Sequence, residues 1–562
     1  MENEKVKSIL EESGLIEKDV LEKLFTEAER KETSLYDLIV SRDIIPDFYL
    51  GKALADGLKI PFVDLSRAVI PDDVLNIIPE IVARKQKILA FGLDEGGLKL
   101  AMKDPTRHEI KEFVEKKVGV KVIPYLATNK DISNALGLYR KDVSKTLGDI
   151  LEEISSGKAA PDDKGSIVKL VDELFLSGNR NKASDIHIEP FENHTLIRLR
   201  IDGVLHEVAD IPKKYHEQII SRIKILSKLK TDEHLSAQDG KLQFVADNEN
   251  VDVRVSIVPI VDGEKAVLRL LSAKSRRFSL EELGLSSEDL EKVKKGFSKP
   301  WGMVLSTGPT GSGKTTTIYA ILRLINRPEV NIATIEDPVE YDLEGINQIQ
   351  VNPKTNLTFA KGLGSILRQD PDIIFVGEIR DEDTAGIAIN AAMTGHLVLS
   401  TLHTNDAATT LPRLADMRIE PFLISSSVNI AMAQRLVRKI CPSCINSVEV
   451  EVKNGKIVTK SGTLEVDPKI LDKYFESKKT LRVYEGKTCK VCQHTGYLGR
   501  TGVFEVLEVT PAIRELIMAK ANSEIITKKA VEEGMTTMFE DGIRKVARGI
   551  TTIEEVMRAV KT

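Results

Sequence analysis

Apolar positions in the first 60 residues recur at helical spacing, and the pattern repeats. "SILEESGLIEKDVLEKLF" superposes on "DLIVSRDIIPDFYLGKAL" with an offset of 29 residues, setting Gly14-Leu15-Ile16 on Asp43-Ile44-Ile45. Each copy predicts a short helix, a turn and a second helix. "KILAFGLDEGGLKLAMKDP" then breaks the pattern with two strand-like runs about the turn residues Asp94 to Gly97. This helical-plus-hairpin module is expected to fill residues 1–140. Residues 141–165 include "SSGKAAPDDKGS", a composition that predicts a flexible linker.

Alternation dominates the next stretch. "ASDIHIEP" places Ile186 and Ile188 on one face and Asp185, His187 and Glu189 on the other. "LIRLRIDGVLHEV" reads as a hairpin across Asp202-Gly203. "VDVRVSIVPI" and "KAVLRLL" supply two more strands, which makes residues 166–277 a second, smaller α/β domain. Over residues 278–562 apolar strands alternate with helices, the pattern of a mostly parallel sheet in an α/β multidomain protein.

Bulk numbers change this picture little. With 562 residues, 42% of them apolar and 29% charged, the chain fits a soluble globular protein of several domains. A net charge of -5 gives no reason to expect nucleic acid as the main ligand. "MENEKVKSILEESG" lacks the apolar centre of a signal peptide, and no apolar run approaches the roughly 20 residues of a spanning helix. A cytoplasmic protein that meets a membrane through its partners is the expectation.

"GPTGSGKT", Gly308 to Thr315, carries the chemistry most plainly. It follows the apolar "WGMVLST" and precedes "TTIYAILRLIN", the strand–loop–helix context that a phosphate loop needs. Gly308, Gly311 and Gly313 would let the backbone N–H groups of the loop turn around phosphate oxygens, with Pro309, Thr310 and Ser312 also in the ATP-binding loop. Lys314 would reach the β- and γ-phosphates of ATP, Thr315 would ligate Mg²⁺, and Thr316 would complete the ATP-binding set. In "LRQDPDIIFVGEIRD", Glu378 sits just past a buried strand, where a metal- or water-directing acid belongs. Gly377 stands where an ordinary site of this kind carries Asp. His396 and His403 flank the apolar strand of "TGHLVLSTLHTNDA", either as strand-end histidines or as sensors of the γ-phosphate.

"NIATIEDPVE" ends a strand with Glu336, Asp337 and Glu340 in five positions. Glu336 shares a face with Thr334 and Ile332. Fully extended, Glu336 and Glu340 would lie about 13 Å apart, too far to hold one water together. Glu340 is expected to orient or deprotonate the attacking water. Glu336 is then placed near Mg²⁺ or as the alternative base, and Asp337 as a brace of the turn. The four cysteines fall in two CxxC pairs, Cys441/Cys444 and Cys489/Cys492, with 44 residues between. That spacing predicts one closed Cys₄ zinc site in a subdomain over about 436–505.

These segments, in this order, resemble the secretion and pilus ATPase superfamily, the family of the type II secretion ATPase and the type IV pilus assembly ATPase. "GPTGSGKTTT", "IATIEDPVEY", "LRQDPDIIFVGEIRD" and "TGHLVLSTLHTNDA" resemble its Walker A, aspartate, Walker B and histidine boxes. "AQRLVRKICPSC" and "GYLGRTGVFEVL" resemble its zinc-flanking segments, and "ASDIHIEP" a segment of its second domain. The resemblance implies a RecA-like ATPase domain behind a PAS-like domain. It implies a homohexameric motor working with an inner-membrane platform protein and a recruiting protein. It also implies arginines of the second domain that reach the phosphates, which match Arg254 and Arg269. Paired cysteines point to filament assembly, with pilus retraction and a non-hydrolysing scaffold as alternatives. Some relatives bind cyclic di-GMP at the N-terminus through paired Arg-Leu-Gly segments. "SLYDLIV" has Tyr36 and Asp37 where Leu-Gly would stand, so that ligand is not expected.

Overall fold

The computed structural model describes residues 3–560 except 31–32, 42–43, 46, 66–67, 69, 140–146, 151, 153–163, 247–248, 272–278, 454–455, 460–461 and 476–479. Most of the expected linker, and the boundary expected near residue 277, lie outside the described residues. The chain divides into two compact units.

The first unit comprises residues 1–166 together with 441–445 and 486–496. Four helices, Asn3–Ser13, Lys18–Arg30, Leu35–Ser41 and Asp47–Leu58, realise the sequence repeat. Positions 29 apart play the same part: Leu10 and Ile39, Ile16 and Ile45, and Leu21 and Leu50 are each buried in one small core. Burying such a side chain stabilises the fold by about 1.5–3 kcal/mol. Strands β1 (Ile88–Asp94) and β2 (Gly97–Met102) form the expected hairpin. A third strand, β3 (Val122–Leu126), runs parallel to β2, and the hydrophobic pattern did not announce it. Pro124 cannot donate to a ladder, and β3 accordingly lies at the sheet edge.

Both CxxC segments cluster with this unit, whereas the sequence placed them in the ATPase domain. The 3₁₀ turn Leu136–Tyr139 packs on the turn Lys490–Cys492. A Cβ on Gly137 would stand 3.0 Å from Val491 Cγ1, and Lys490 Nζ lies 3.2 Å from Asp72. The expected 436–505 subdomain is therefore divided.

In the second unit a six-stranded antiparallel sheet comes first: β4 (Ala183–Pro190), β5 (His194–Ile201), β6 (Val204–Pro212), β7 (Gln238–Ala246), β8 (Glu249–Ile260) and β9 (Gly263–Leu271), ordered β6-β5-β4-β9-β8-β7. Asp202 and Gly203 both have positive φ, as the two-residue hairpin requires. The polar face of β4 is buried as deeply as its apolar face. Arg198 and Lys265 cover Glu189, and Arg200 and Arg269 cover Asp185.

Seven strands form the second sheet of this unit. They are β10 (Gly302–Thr307), β11 (Ile332–Glu336), β12 (Asn347–Gln350), β13 (Ile373–Val376), β14 (Leu397–Leu402), β15 (Val428–Ile440) and, after an excursion, β20 (Tyr497–Glu508). Their order is β12-β11-β13-β14-β10-β15-β20, parallel except between β15 and β20. Central strands are apolar on both faces: Met303 and Leu305 enter one core and Val304 the other. The excursion folds as β16 (Ile445–Lys453), β17 (Lys456–Thr459), β18 (Gly462–Glu465) and β19 (Thr480–Gly486). Its core includes Ile543 and Val556 of the C-terminal helices.

Candidate functional site

Parallel strands end together, so the C-terminal ends of β10, β11, β13 and β14 deliver their following residues to one edge. A cleft of about 1000 Å³ lies there, walled by the loop after β10 and by the antiparallel domain. Gly308, Gly311 and Gly313 all take positive φ, which lets the loop curl ahead of the helix Lys314–Ile325. Lys314 is buried, and its Nζ donates to the carbonyls of Gly308 and Pro309 at 2.8 and 3.1 Å. Burial pulls its pKa down, Glu378 opposes that, and Arg435 adds to it. Thr315 and Thr316 line the cleft.

Glu378 lies beside the loop. His403 Nε2 is 2.9 Å from its Oε2, and Arg380 pairs with its Oε1. Gly377 explains the missing Asp. A Cβ there would sit 3.2 Å from both Glu336 Cα and the Ile335 carbonyl oxygen, because β13 ends hard against β11. Gly377→Asp is expected to lower stability by about 1–3 kcal/mol, from overpacking. A thermal melt of the variant checks this, and an unchanged melting temperature would refute the packing argument.

The two histidines part company. His403 follows the C-terminal end of β14, beside the phosphate loop. His396 precedes its N-terminal end, where its carbonyl accepts from Gly302 N–H and its Nδ1 faces the Ala391 carbonyl. A six-residue strand puts it about 20 Å from the loop. The phosphate-sensor reading of His396 is corrected: it is a strand-start histidine.

Glu336 and Glu340 also differ. Glu336 is 2% exposed, and both its oxygens are occupied. Thr334 Oγ1 donates at 2.6 Å, Gln348 Nε2 at 3.1 Å, and Tyr319 donates its hydroxyl. Burial raises its pKa against these donors. The expected places of Glu336, beside Mg²⁺ or as alternative base, do not fit a carboxyl already holding three donors. Asp337, expected to brace the turn, is exposed. Glu340 is half-buried in the cleft, and Arg254 lies 3.2 Å from it. Arg254 also donates to the Val339 carbonyl at 2.7 Å. Arg269 lines the cleft, 3.1 Å from Asp185. The structure thus gathers the loop, Glu378, His403, Glu340, Arg254 and Arg269, and leaves His396 out.

Sequence reasoning missed Arg200, Arg380 and Arg435, which also line the cleft. Their signal was position: each stands inside a quoted segment, Arg200 in "LIRLRIDGVLHEV", Arg380 in "LRQDPDIIFVGEIRD" and Arg435 in "AQRLVRKICPSC". Cations thus crowd a cleft whose loop presents backbone amides, an environment for a polyphosphate.

The four cysteine sulfurs lie within 4.8 Å of one another, with Sγ–Sγ distances of 3.8 Å (Cys441–Cys489), 3.9 Å (Cys444–Cys492) and 3.6 Å (Cys489–Cys492). Burial pushes the Cys441 thiol up to about 12, against a backbone N–H of Ser443 that favours the thiolate.

A glycine-rich loop at the C-terminal edge of a parallel sheet, with an acid past a strand two places away, defines a phosphate-loop nucleoside triphosphatase. Comparison with known proteins narrows the class. The family model described as "Type II/IV secretion system protein" matches residues 160–558, and the MshEN domain model matches 58–144. The type IV pilus assembly ATPase PilB of Myxococcus xanthus is 36% identical over 565 residues, covering 98% of this chain and 97% of that protein. The type II secretion system ATPase E of Vibrio cholerae is 44% identical over 402 residues, covering 71% of this chain and 76% of that protein. The solved structure of the Yersinia pseudotuberculosis ATPase DotB shares the fold, with a TM-score of 0.52 at 21% identity over 70% of this chain and 94% of that one. The chain belongs to the type II/IV secretion system protein family. It is an ATPase. No helix among the described residues is long and apolar enough to cross a membrane.

Proposed function

We propose that this chain is the ATP-hydrolysing motor that drives assembly of a type IV pilus or a type II secretion pseudopilus. The observation that carries the reading is the cleft itself, where the phosphate loop, Glu340, Glu378 and arginines of the neighbouring domain surround one space. Lys314 and the loop amides bind the phosphates of ATP. Thr315 and Glu378 are the groups that would hold Mg²⁺, which neutralises phosphate charge when bound. Glu340 orients the attacking water and takes its proton as the water oxygen bonds to the γ-phosphorus and the β–γ bridging P–O bond breaks. Arg254 and Arg269 stabilise the charge on the transferred group. His403 positions Glu378.

Zinc fits the cysteine cluster. Four thiolates at about 2.3 Å from a tetrahedral ion stand about 3.8 Å apart, close to the sulfur spacings found. Purified protein is expected to carry about one zinc per chain by elemental analysis. A preparation without zinc would remove the site.

Homohexamer formation, a platform protein at the inner membrane and a recruiting partner for the N-terminal module complete the reading. Cyclic di-GMP is not taken to be the ligand of that module, since Tyr36 and Asp37 replace Leu-Gly. Deleting the gene in its host tests the function. Loss of surface pili or of secretion is expected, restored by the intact gene and not by a Lys314→Ala copy. Excess pili on the deletion strain would instead mark a retraction motor.

A further inference from the structure

We infer that Gln434 is a positioning residue for the nucleotide, setting the orientation of a loop amide that faces phosphate. The inference rests on the ATPase reading but concerns a residue outside all the phosphate-binding segments quoted above. Gln434 is on β15, the strand beside β10 in the sheet, and is 2% exposed. Its Nε2 donates to the Ser312 carbonyl at 2.6 Å. Its Oε1 accepts from Thr317 Oγ1 at 2.7 Å, in the first turn of the helix that follows the loop. One amide therefore spans the loop and the helix.

The geometry of the peptide unit gives this bond its meaning. A trans peptide is planar, with C=O and N–H pointing opposite ways. Holding the Ser312 carbonyl outward on Gln434 turns the next N–H, that of Gly313, inward, where a phosphate oxygen would meet it. The same residue dictates two glycines of the loop. A Cβ on Gly313 would lie 2.7 Å from Gln434 Nε2, and one on Gly308 would lie 2.5 Å from the Gln434 carbonyl oxygen. β15 is thus the template against which the loop is moulded. Without the donor, the Ser312–Gly313 peptide is free to rotate, and the amide is no longer preset for phosphate.

Such a contact acts on bound nucleotide in ground and transition states alike, so its loss shows in affinity more than in turnover. The test measures Kd for a fluorescent ADP, KM and kcat for ATP, and the melting temperature of Gln434→Leu, Gln434→Glu and Thr317→Val. Gln434→Glu keeps the volume and the bond from Thr317 but sets a carboxylate against the Ser312 carbonyl. Kd and KM are expected to rise roughly 5–30-fold in both Gln434 variants, the range of one or two lost hydrogen bonds, with kcat falling less than about threefold. Thr317→Val keeps the donor to Ser312 and is expected to raise KM by less. Should Gln434→Leu fail to fold, the near-isosteric Gln434→Glu carries the same readout. A lowered melting temperature with Kd and KM within about twofold of the unsubstituted protein would overturn the inference, as would a loss confined to kcat. If the unsubstituted protein bound ADP without hydrolysing ATP, the ATPase reading would fall while the Kd comparison still tested Gln434.

Discussion

Lys314→Ala is expected to reduce phosphate release from the purified protein by about two to three orders of magnitude. The lysine ammonium already stands at the mouth of the loop, tied to the carbonyls of Gly308 and Pro309. Incoming phosphates offer charged oxygens in exchange for neutral carbonyls, and a charge-assisted bond is about twice as strong. Burial strengthens the exchange, because it disfavours an ammonium that lacks an anion. Alanine leaves the backbone cradle in place and removes only the charge that follows the γ-phosphate. The fold should survive, since no core contact depends on the ammonium. Equal hydrolysis by the two proteins would sink the motor reading.

The second large effect separates the two glutamates. Glu340→Gln is expected to lower kcat by about two to four orders of magnitude, the range for removal of a general base. Its melting temperature should hold, since its carboxylate is partly solvent-exposed and pairs only at the cleft wall. Glu336→Gln should do the reverse. Thr334, Tyr319 and Gln348 all donate to Glu336, and a glutamine there offers one acceptor oxygen and two hydrogens in a place built for acceptors. A stability loss of about 1–3 kcal/mol is expected, with a much smaller change in kcat. Phosphate-release kinetics and thermal melts on both variants decide the matter. Normal turnover in Glu340→Gln beside a dead Glu336→Gln would show the roles reversed.

The sequence was legible where a local rule leaves little choice. Gly308 to Thr315 announces a phosphate loop because so few backbones curl around an anion, and Asp202-Gly203 announces a hairpin because both residues tolerate positive φ. The repeat declared its core because identical helices bury identical positions. Legibility failed where the answer depended on a partner far along the chain. His396 and His403 look alike from sequence, each against the same apolar strand. Only strand polarity separates them, and the loop after β10 already carried that clue, since β14 runs parallel to β10. Glu336 looked reactive because nothing local reveals Tyr319, 17 residues before it, or Gln348, 12 after it. Gln434 escaped for the same reason: it holds the loop from 122 residues away. The CxxC pairs announced that the four cysteines gather but not what they gather against, because Val491 and Lys490 meet Gly137 and Asp72 across hundreds of residues.

Arg254 of the antiparallel domain and Glu340 beyond β11 hold one another at the cleft wall. Substitution of either removes the other's ionic partner, so the effects of Arg254→Ala and Glu340→Gln should not add.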